Sequence, residues 1–96
     1  MLTSTDIKNK LRQIKPLLAD KYHVSQIGYF GSYVTGDQDE NSDVDILVEF
    51  SKPIGWGFFT LEKYLENILD TKVDLVTKNA LNKQLKEIIL KQVQYI

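Results

Sequence analysis

The chain has no cysteine, only two prolines and a single histidine among its 96 residues. Without cysteine no disulfide can form, which is typical of a protein from a reducing compartment. A lone histidine, His23, excludes a cluster of histidine metal ligands, and we expect it to close a helix rather than to act in catalysis. No apolar run is long enough to span a bilayer, and the N-terminal segment lacks the continuous apolar stretch of a secretory signal. We therefore expect a cytoplasmic protein without membrane contact.

Charges of both signs are present, but they are unevenly distributed. The net charge is -1, and charged residues make up 26% of the sequence. Residues 37–50 contain six acidic residues and no basic one, whereas the basic residues are spread over segments with helical patterns. A concentrated acidic segment repels nucleic acid unless cations screen it, so we expect no direct nucleic-acid binding. Length and apolar content predict one domain over residues 1–96.

Hydrophobic periodicity predicts four helices and three strands in the order α-β-α-β-α-β-α. The predicted elements are a helix from Thr3 or Ser4 to about residue 23, a strand over 24–30, a short helix after Ser32, a strand over 43–50, a helix over 58–70, a strand over 73–76 and a helix from about residue 81. This order predicts an α/β (α+β) fold in which the helices pack mainly on one face of the sheet.

Particular residues add detail to this pattern. Pro16 lies inside the first helical stripe and should kink that helix or split it in two. Gly28 weakens the first strand and permits close approach of another backbone. The last helix should keep one apolar side, which consists of Leu85, Ile88, Ile89 and Val93.

The segment from Tyr29 to Phe50 carries the residues with the clearest chemical meaning. Gly31 follows a strand and permits a tight turn, and Ser32 begins a helix of about one turn. The first backbone amides of a helix are unsatisfied donors with partial positive charge, which suits an anion such as phosphate. The Ser32 hydroxyl adds one more donor. A Gly-Ser pair after a strand is, however, also common in turns that bind nothing.

Ten residues separate Ser32 from Asp43, which with Asp45 stands at the start of a predicted strand. Side chains alternate along a strand, so both carboxylates should point to one face. Asp74, inside the strand sequence VDLV, is disfavoured there by propensity and would point to the same face. Mg²⁺ is usually held by one or two carboxylates together with substrate phosphates and water. The three acids therefore predict a site for a metal-bound nucleoside triphosphate, with one or two Mg²⁺ ions.

Other binding motifs fit the sequence less well. Acids at a loop end can simply blunt an edge strand. An EF-hand reading of the loop that begins at Asp37 fails, because Ser42 and Val48 stand where glycine and glutamate are required. Neither a P-loop nor a dinucleotide fingerprint is present. Lys52 or Lys78 could reach a phosphate, but nothing in the sequence favours either.

In these residues the chain resembles the minimal nucleotidyltransferase (MNT) family of the DNA polymerase β-like superfamily. The family pattern is Gly-Ser, ten residues, Asp-x-Asp and a later strand aspartate, and here Gly31-Ser32, Asp43-x-Asp45 and Asp74 match it. The strings IGYFGSYVTGD, SDVDILVEF, KVDLVT and LKEIILKQVQYI are similar as well, so the resemblance covers nearly the whole chain. It implies a small nucleotidyltransferase fold with a mixed sheet of about three to four strands.

The resemblance also implies a reaction and a partner. Family members often serve as the antitoxin of a pair whose toxin is a helical HEPN-domain RNase, and they transfer AMP from ATP to a tyrosine of that toxin. Carried over to this chain, Asp43, Asp45 and Asp74 would be the catalytic and Mg²⁺-binding acids, and Gly31 with Ser32 would contact the triphosphate. Asp74 would also help to deprotonate the incoming hydroxyl. Thr35 departs from the family, because many relatives have a basic residue there, and this puts the phosphate contacts in doubt.

Two further functions compete with this one. The chain could neutralise a HEPN partner by stoichiometric binding without catalysis, and Trp56, Phe58 and Phe59 would then be candidates for the contact. Nucleotidyl transfer to a small molecule is less favoured, because the chain offers no second domain to enclose such an acceptor.

Overall fold

A four-stranded mixed sheet forms the centre of the molecule, with the strand order β3-β2-β1-β4. The structure, a computed structural model, describes residues 2–96. β2 pairs antiparallel with β1 and parallel with β3, and β4 pairs antiparallel with the free edge of β1. The strands are β1 (Val24–Phe30), β2 (Val44–Phe50), β3 (Val73–Thr77) and β4 (Gln94–Tyr95). This confirms the predicted mixed sheet, although β4, with two residues, is too short to give a periodic signal in the sequence.

Four α-helices accompany the sheet in the predicted order. They are α1 (Ser4–Tyr22), α2 (Ser32–Thr35), α3 (Gly57–Leu69) and α4 (Lys83–Gln92), and a short 3₁₀ helix, Lys78–Ala80, follows β3. Thr3 caps α1 in a capping box with Asp6, and His23 ends the helix in the left-handed conformation with φ 57°. The predicted place of His23 at a helix end is thus confirmed.

Pro16 does not split the first helix. Residues Ser4–Tyr22 form one continuous α-helix with Pro16 inside it. Proline removes the hydrogen bond that its amide would donate to Arg12, four residues earlier. Both Pro16 and Arg12 are exposed, so water can bind the Arg12 carbonyl, and the apolar stripe of α1 on the opposite side keeps the helix packed on the sheet.

The main core lies between the sheet and the two long helices. Side chains of α1 and α3 pack with those of β1, β2 and β3 in one cluster, which includes the fully buried Ile7, Leu11, Leu18, Leu61 and Leu65. This agrees with the expectation that the helices pack mainly on one face of the sheet. Among residues 2–96, no helix is both long and apolar enough to span a membrane.

Helix α4 lies on the other face of the sheet, where it buries only part of its predicted apolar side. Ile89 packs with Phe30 of β1 and Leu47 of β2 in a second, smaller cluster. Leu85 and Ile88 belong to the same predicted apolar side, but they are 48% and 58% exposed, whereas Ile89 is buried. Leu90 and Val93 also pack against this cluster and are partly buried. Asp45 lies on this second face as well, because it is two residues before Leu47 on β2 and side chains two apart on a strand share a face.

Candidate active site

The chain turns sharply between β1 and α2, and Gly31 forms this turn. Its backbone has φ 77° and ψ -146°, a region that is essentially restricted to glycine. Val34 donates the first hydrogen bond of α2 to the Gly31 carbonyl at 2.9 Å. The amides of Ser32 and Tyr33 therefore precede the intrahelical hydrogen bonds and are directed toward the start of the helix. This local geometry is the one from which the sequence predicts a phosphate contact.

Two of the three predicted acids lie side by side on neighbouring strands. Asp45 is the second residue of β2, and it is in register with Phe30 of β1 and Asp74 of β3. Residues in register on paired strands point to the same face of a sheet, so the side chains of Asp45 and Asp74 are neighbours. Asp43 precedes β2 and is exposed, which differs from the expected strand start at residue 43.

Gly31 lies directly against the carboxylate of Asp45. A Cβ atom built on Gly31 would overlap with Asp45 Oδ2, so an alanine could not be accommodated here without movement of one of the two residues. The contact arises because Gly31 follows Phe30, which is the register partner of Asp45 on the antiparallel strand. Two independent reasons thus require glycine at this position: the backbone has a positive φ, and the Asp45 carboxylate leaves no room for a Cβ atom.

The charges of the two neighbouring aspartates act on Asp45. Burial raises the pKa of Asp45 from 3.8 to about 6, and the negative charges of Asp74 and then Asp43 add to this effect. The pKa of Tyr33, which is buried next to Ser32, is raised mainly by burial and further by the charges of Asp39 and Asp43. The site therefore concentrates negative charge that a bound cation would relieve.

The donor set fits Mg²⁺ only if the substrate completes the coordination. Within residues 2–96, no three side chains of His, Cys, Asp or Glu are arranged to hold a metal ion by themselves. The three aspartates nevertheless supply the hard oxygen ligands that Mg²⁺ prefers, and Mg²⁺ is commonly bound by one or two carboxylates plus phosphate oxygens and water. The residues present thus fit a Mg²⁺ that arrives with a nucleotide.

Lys52 and Lys78, considered as possible phosphate contacts, lie away from this site. They line a cavity of about 410 Å³ at the opposite ends of β2 and β3, together with Glu49 and Thr77. Lys78 Nζ lies 4.0 Å from Glu49 Oε1. Glu49 is four residues beyond Asp45 on β2, which corresponds to about 13 Å along the strand. The structure therefore does not bring these lysines to the aspartates.

One residue at the site has no signal in the sequence. Gln92, the last residue of α4, accepts a hydrogen bond from the Gly31 amide at 2.6 Å. A glutamine near the end of an amphipathic helix looks like an ordinary surface residue, and only the packing of α4 on the sheet brings it to the turn.

Comparison with known proteins identifies the family of the chain. The sequence profile of the nucleotidyltransferase domain family matches residues 11–96. The protein adenylyltransferase MntA of Thermococcus cleftensis is 43% identical over 97 residues, and the match covers 100% of this chain and 98% of that protein. These matches extend over the whole candidate site.

Solved structures with the same fold agree with this assignment. The structure of a minimal nucleotidyltransferase superposes with a TM-score of 0.82 at 26% identity, and it covers 97% of this chain and 95% of that one. One chain of a toxin–antitoxin complex with AMP-PNP gives a TM-score of 0.69 at 29% identity, with 98% and 72% covered. One chain of the complex of a tri-AMPylated Shewanella oneidensis HEPN toxin with its MNT antitoxin gives 0.66 at 25% identity, with 93% and 70% covered. The chain belongs to the nucleotidyltransferase domain family, within which it groups with the protein adenylyltransferases of the MntA type.

Proposed function

We propose that this protein is a Mg²⁺-dependent adenylyltransferase that transfers AMP from ATP to a tyrosine hydroxyl of a HEPN-domain toxin. It would thereby act in the cytoplasm as the antitoxin of a two-protein pair. The observation that carries this proposal is the registered pair Asp45 and Asp74 beside the Gly31 turn. The related complexes, one with AMP-PNP and one with an AMPylated HEPN toxin, support the choice of nucleotide and partner.

The turn supplies the contacts for the triphosphate in this proposal. The Ser32 hydroxyl and the first amides of α2 would donate hydrogen bonds to phosphate oxygens, which accept such donors well at a helix start. Thr35 stands where many relatives carry a basic residue, and it adds no positive charge. Its hydroxyl donates a hydrogen bond to Asp37 Oδ2 at 2.9 Å. The backbone donors of the turn therefore carry most of the phosphate binding from the protein.

The aspartates supply the charge and the base. Asp43, Asp45 and Asp74 would hold one or two Mg²⁺ ions, which when bound neutralise the triphosphate and polarise the α-phosphate. The tyrosine oxygen would form a bond to the α-phosphorus, the bond from that phosphorus to the bridging β-oxygen would break, and pyrophosphate would leave. Asp74, which is exposed, would receive the hydroxyl proton. In-line attack of this kind depends on positioning and charge neutralisation rather than on a covalent enzyme intermediate.

The decisive experiment is a transfer assay in lysate of the source organism. Purified protein is incubated with Mg²⁺ and α-labelled ATP, and any labelled protein is identified together with its modified residue by mass spectrometry. Asp43→Asn/Asp45→Asn protein runs in parallel, and Asp20→Asn, an exposed acid of α1, is the matched control. We expect one labelled protein, modified on tyrosine by AMP, with the wild-type and Asp20→Asn enzymes but not with the double variant.

Two further reactions make the interpretation specific. γ-Labelled ATP should give no labelled protein, because its label leaves with pyrophosphate, and a chelator should abolish transfer. Label on a small molecule instead of a protein would contradict the proposed acceptor. Equal labelling by the double variant would contradict the assigned site.

A second candidate function is neutralisation of the toxin by stoichiometric binding alone. It is favoured by one observation: Trp56 and Phe59 are 85% and 57% exposed, and their rings lie against each other at 5.9 Å between centroids. Exposed neighbouring aromatics are enriched at protein interfaces. The two functions separate in an Asp45→Asn variant that still forms the complex. Loss of neutralisation favours catalysis, and retained neutralisation favours masking.

A further inference from the structure

A direct hydrogen bond links the C-terminal segment of the chain to the Gly31 turn. Gln92 Oε1 accepts from the Gly31 amide at 2.6 Å, across a separation of 61 residues. Because the backbone N–H can only donate, the acceptor must be the amide oxygen of Gln92, which fixes the orientation of this side chain. Both residues are partly buried, so water competes less for the two groups than at an open surface.

Packing around this hydrogen bond places the segment firmly over the site. Ile89, one turn before Gln92, packs with Phe30 and Leu47. Phe30 directly precedes Gly31, and Leu47 is two residues after Asp45 on the same face of β2. After Gln92 the chain pairs with β1, where Gly28 is in register with Tyr95. The helix end that carries Gln92 is therefore held on both sides.

Gly28 makes this close approach possible. A Cβ atom at position 28 would lie 2.8 Å from the Gln94 carbonyl oxygen and 2.9 Å from Val93 Cγ2, closer than such atoms can pack. This confirms the expectation that Gly28 permits another backbone to approach. Because Gly28 has no side chain, the segment Val93–Tyr95 can approach β1 closely, and Gln92 can reach the Gly31 turn.

The contacts within the turn act on the Gly31 carbonyl and on α2: Val34 and Thr35 donate to the carbonyl, and Tyr33 is buried in the main core. Gly31 occupies a backbone region that glycine enters freely but does not prefer over its alternatives. Helix α2 is only four residues long, and an isolated helix of that length has little stability of its own. The hydrogen bond to Gln92 adds a restraint on the Gly31 amide from outside the turn.

We infer that Gln92 is a positioning residue, which holds the Gly31 turn in the conformation that receives the triphosphate. The inference rests on the proposed function for the identity of the ligand. Its physical content is that loss of the Gln92 acceptor frees the Gly31 amide, loosens the turn and weakens nucleotide binding, while the fold remains stable. Gln92 does not need to touch the nucleotide for this effect.

The test compares three variants of the full chain with the wild type. Gln92→Met keeps the length of the side chain but removes the acceptor, and Gln92→Glu keeps an acceptor oxygen. Gln94→Met makes the same change at the neighbouring exposed glutamine of β4 and is the matched control. For each protein, amide hydrogen exchange at Gly31 is measured by NMR, binding of Mg·AMP-PNP by calorimetry and thermal unfolding by circular dichroism.

We expect Gln92→Met to raise the exchange rate of the Gly31 amide and the Kd for Mg·AMP-PNP by about fivefold to tenfold each, the factor that one ordinary hydrogen bond corresponds to. Gln92→Glu should keep the slow exchange of Gly31, and Gln94→Met should match the wild type throughout. If Gln92 only stabilised the fold, Gln92→Met and Gln92→Glu would instead both lower the melting temperature.

Three results would overturn the inference, and they can be told apart. Unchanged exchange at Gly31 in Gln92→Met shows that the hydrogen bond does not hold the turn. Faster exchange with an unchanged Kd shows that the turn does not need to be held for binding. If the wild type binds no Mg·AMP-PNP at all, the proposed function fails as well. If Gln92→Met does not fold, Gln92→Asn is measured instead. Its side chain is one methylene shorter, so the amide oxygen no longer reaches the Gly31 amide.

Discussion

Replacement of Asp45 by asparagine should make the unliganded protein more stable at neutral pH while it destroys the site. Burial and the charges of Asp74 and Asp43 raise the pKa of Asp45 from 3.8 to about 6 in the folded protein. A carboxyl group with a higher pKa in the folded than in the unfolded state favours folding when it is protonated. Its contribution is complete below about pH 4 and is lost as the pH rises through about 6. Above that range the wild type carries a repelled, half-buried charge that Asp45→Asn lacks.

The expected gain can be estimated from the same pKa. A rise from 3.8 to about 6 would correspond to about 3 kcal/mol if nothing screened the charge. Asp45 is only half-buried, and solvent and salt weaken the repulsion from two exposed aspartates. We therefore expect Asp45→Asn to raise the free energy of unfolding by about 1 kcal/mol at pH 7.5, or the melting temperature by about 4–8 °C. Asparagine has nearly the same shape, so it still fits against Gly31.

The measurement is urea unfolding of the wild type, Asp45→Asn and Asp20→Asn between pH 4 and pH 8, in the presence of a chelator. The difference between Asp45→Asn and the wild type should be largest at pH 7.5 and should shrink steadily below pH 6. The exposed Asp20→Asn control should show no comparable pH dependence. Added Mg·AMP-PNP should reverse the order, because a ligand stabilises only the protein that binds it.

Two outcomes would refute this reasoning. If Asp45→Asn were less stable than the wild type at pH 7.5, the carboxylate would be stabilised in the fold rather than repelled. If the difference did not change with pH, the ionisation of Asp45 would not contribute to stability.

Further predictions concern the turn, the core and a helix cap. Gly31→Ala should lower the free energy of unfolding by about 2 kcal/mol or more and abolish nucleotide binding, because the new Cβ adds overlap with Asp45 to the strain of a positive φ. Gly36→Ala, with φ 87° and open space around it, is the matched control for strain alone, and equal losses in urea unfolding would contradict the role of the contact. Leu11→Ala should cost about 2–5 kcal/mol in the same assay because Leu11 is fully buried, whereas Leu17→Ala, at a position 42% exposed, should cost much less. Thr3→Ala removes a side-chain cap that accepts from the Asp6 amide at 3.1 Å, and a loss of about 1 kcal/mol is expected, with no change in nucleotide binding.

The sequence predicts the elements of this fold well, because their signals are local. The apolar stripe of α3, Leu61, Leu65 and Leu69, repeats every four residues, and the predicted helix over 58–70 is observed as Gly57–Leu69. Local patterns are less informative where distant packing decides the outcome. Pro16 predicts a kinked or split helix, and the split does not occur, because burial of the other side of α1 keeps the helix continuous. Leu85 and Ile88 share the helical apolar spacing of Ile89, yet both are exposed while Ile89 is buried.

The candidate site divides in the same way. The sequence predicts that four site residues meet at one end of the sheet: Gly31, Ser32, Asp43 and Asp45. They lie in a strand, a turn and a second strand, and the period of a strand indicates which side chains share a face. That Asp74 lies next to Asp45 depends on parallel pairing of β2 with β3, which no local pattern determines. The overlap that excludes a side chain at Gly31, the raised pKa of Asp45 and the hydrogen bond from Gly31 to Gln92 arise only when the strands and α4 pack together. Local conformation can be predicted from neighbouring residues, whereas contacts between distant residues, such as Gly31 and Gln92 at a separation of 61, are decided by tertiary packing.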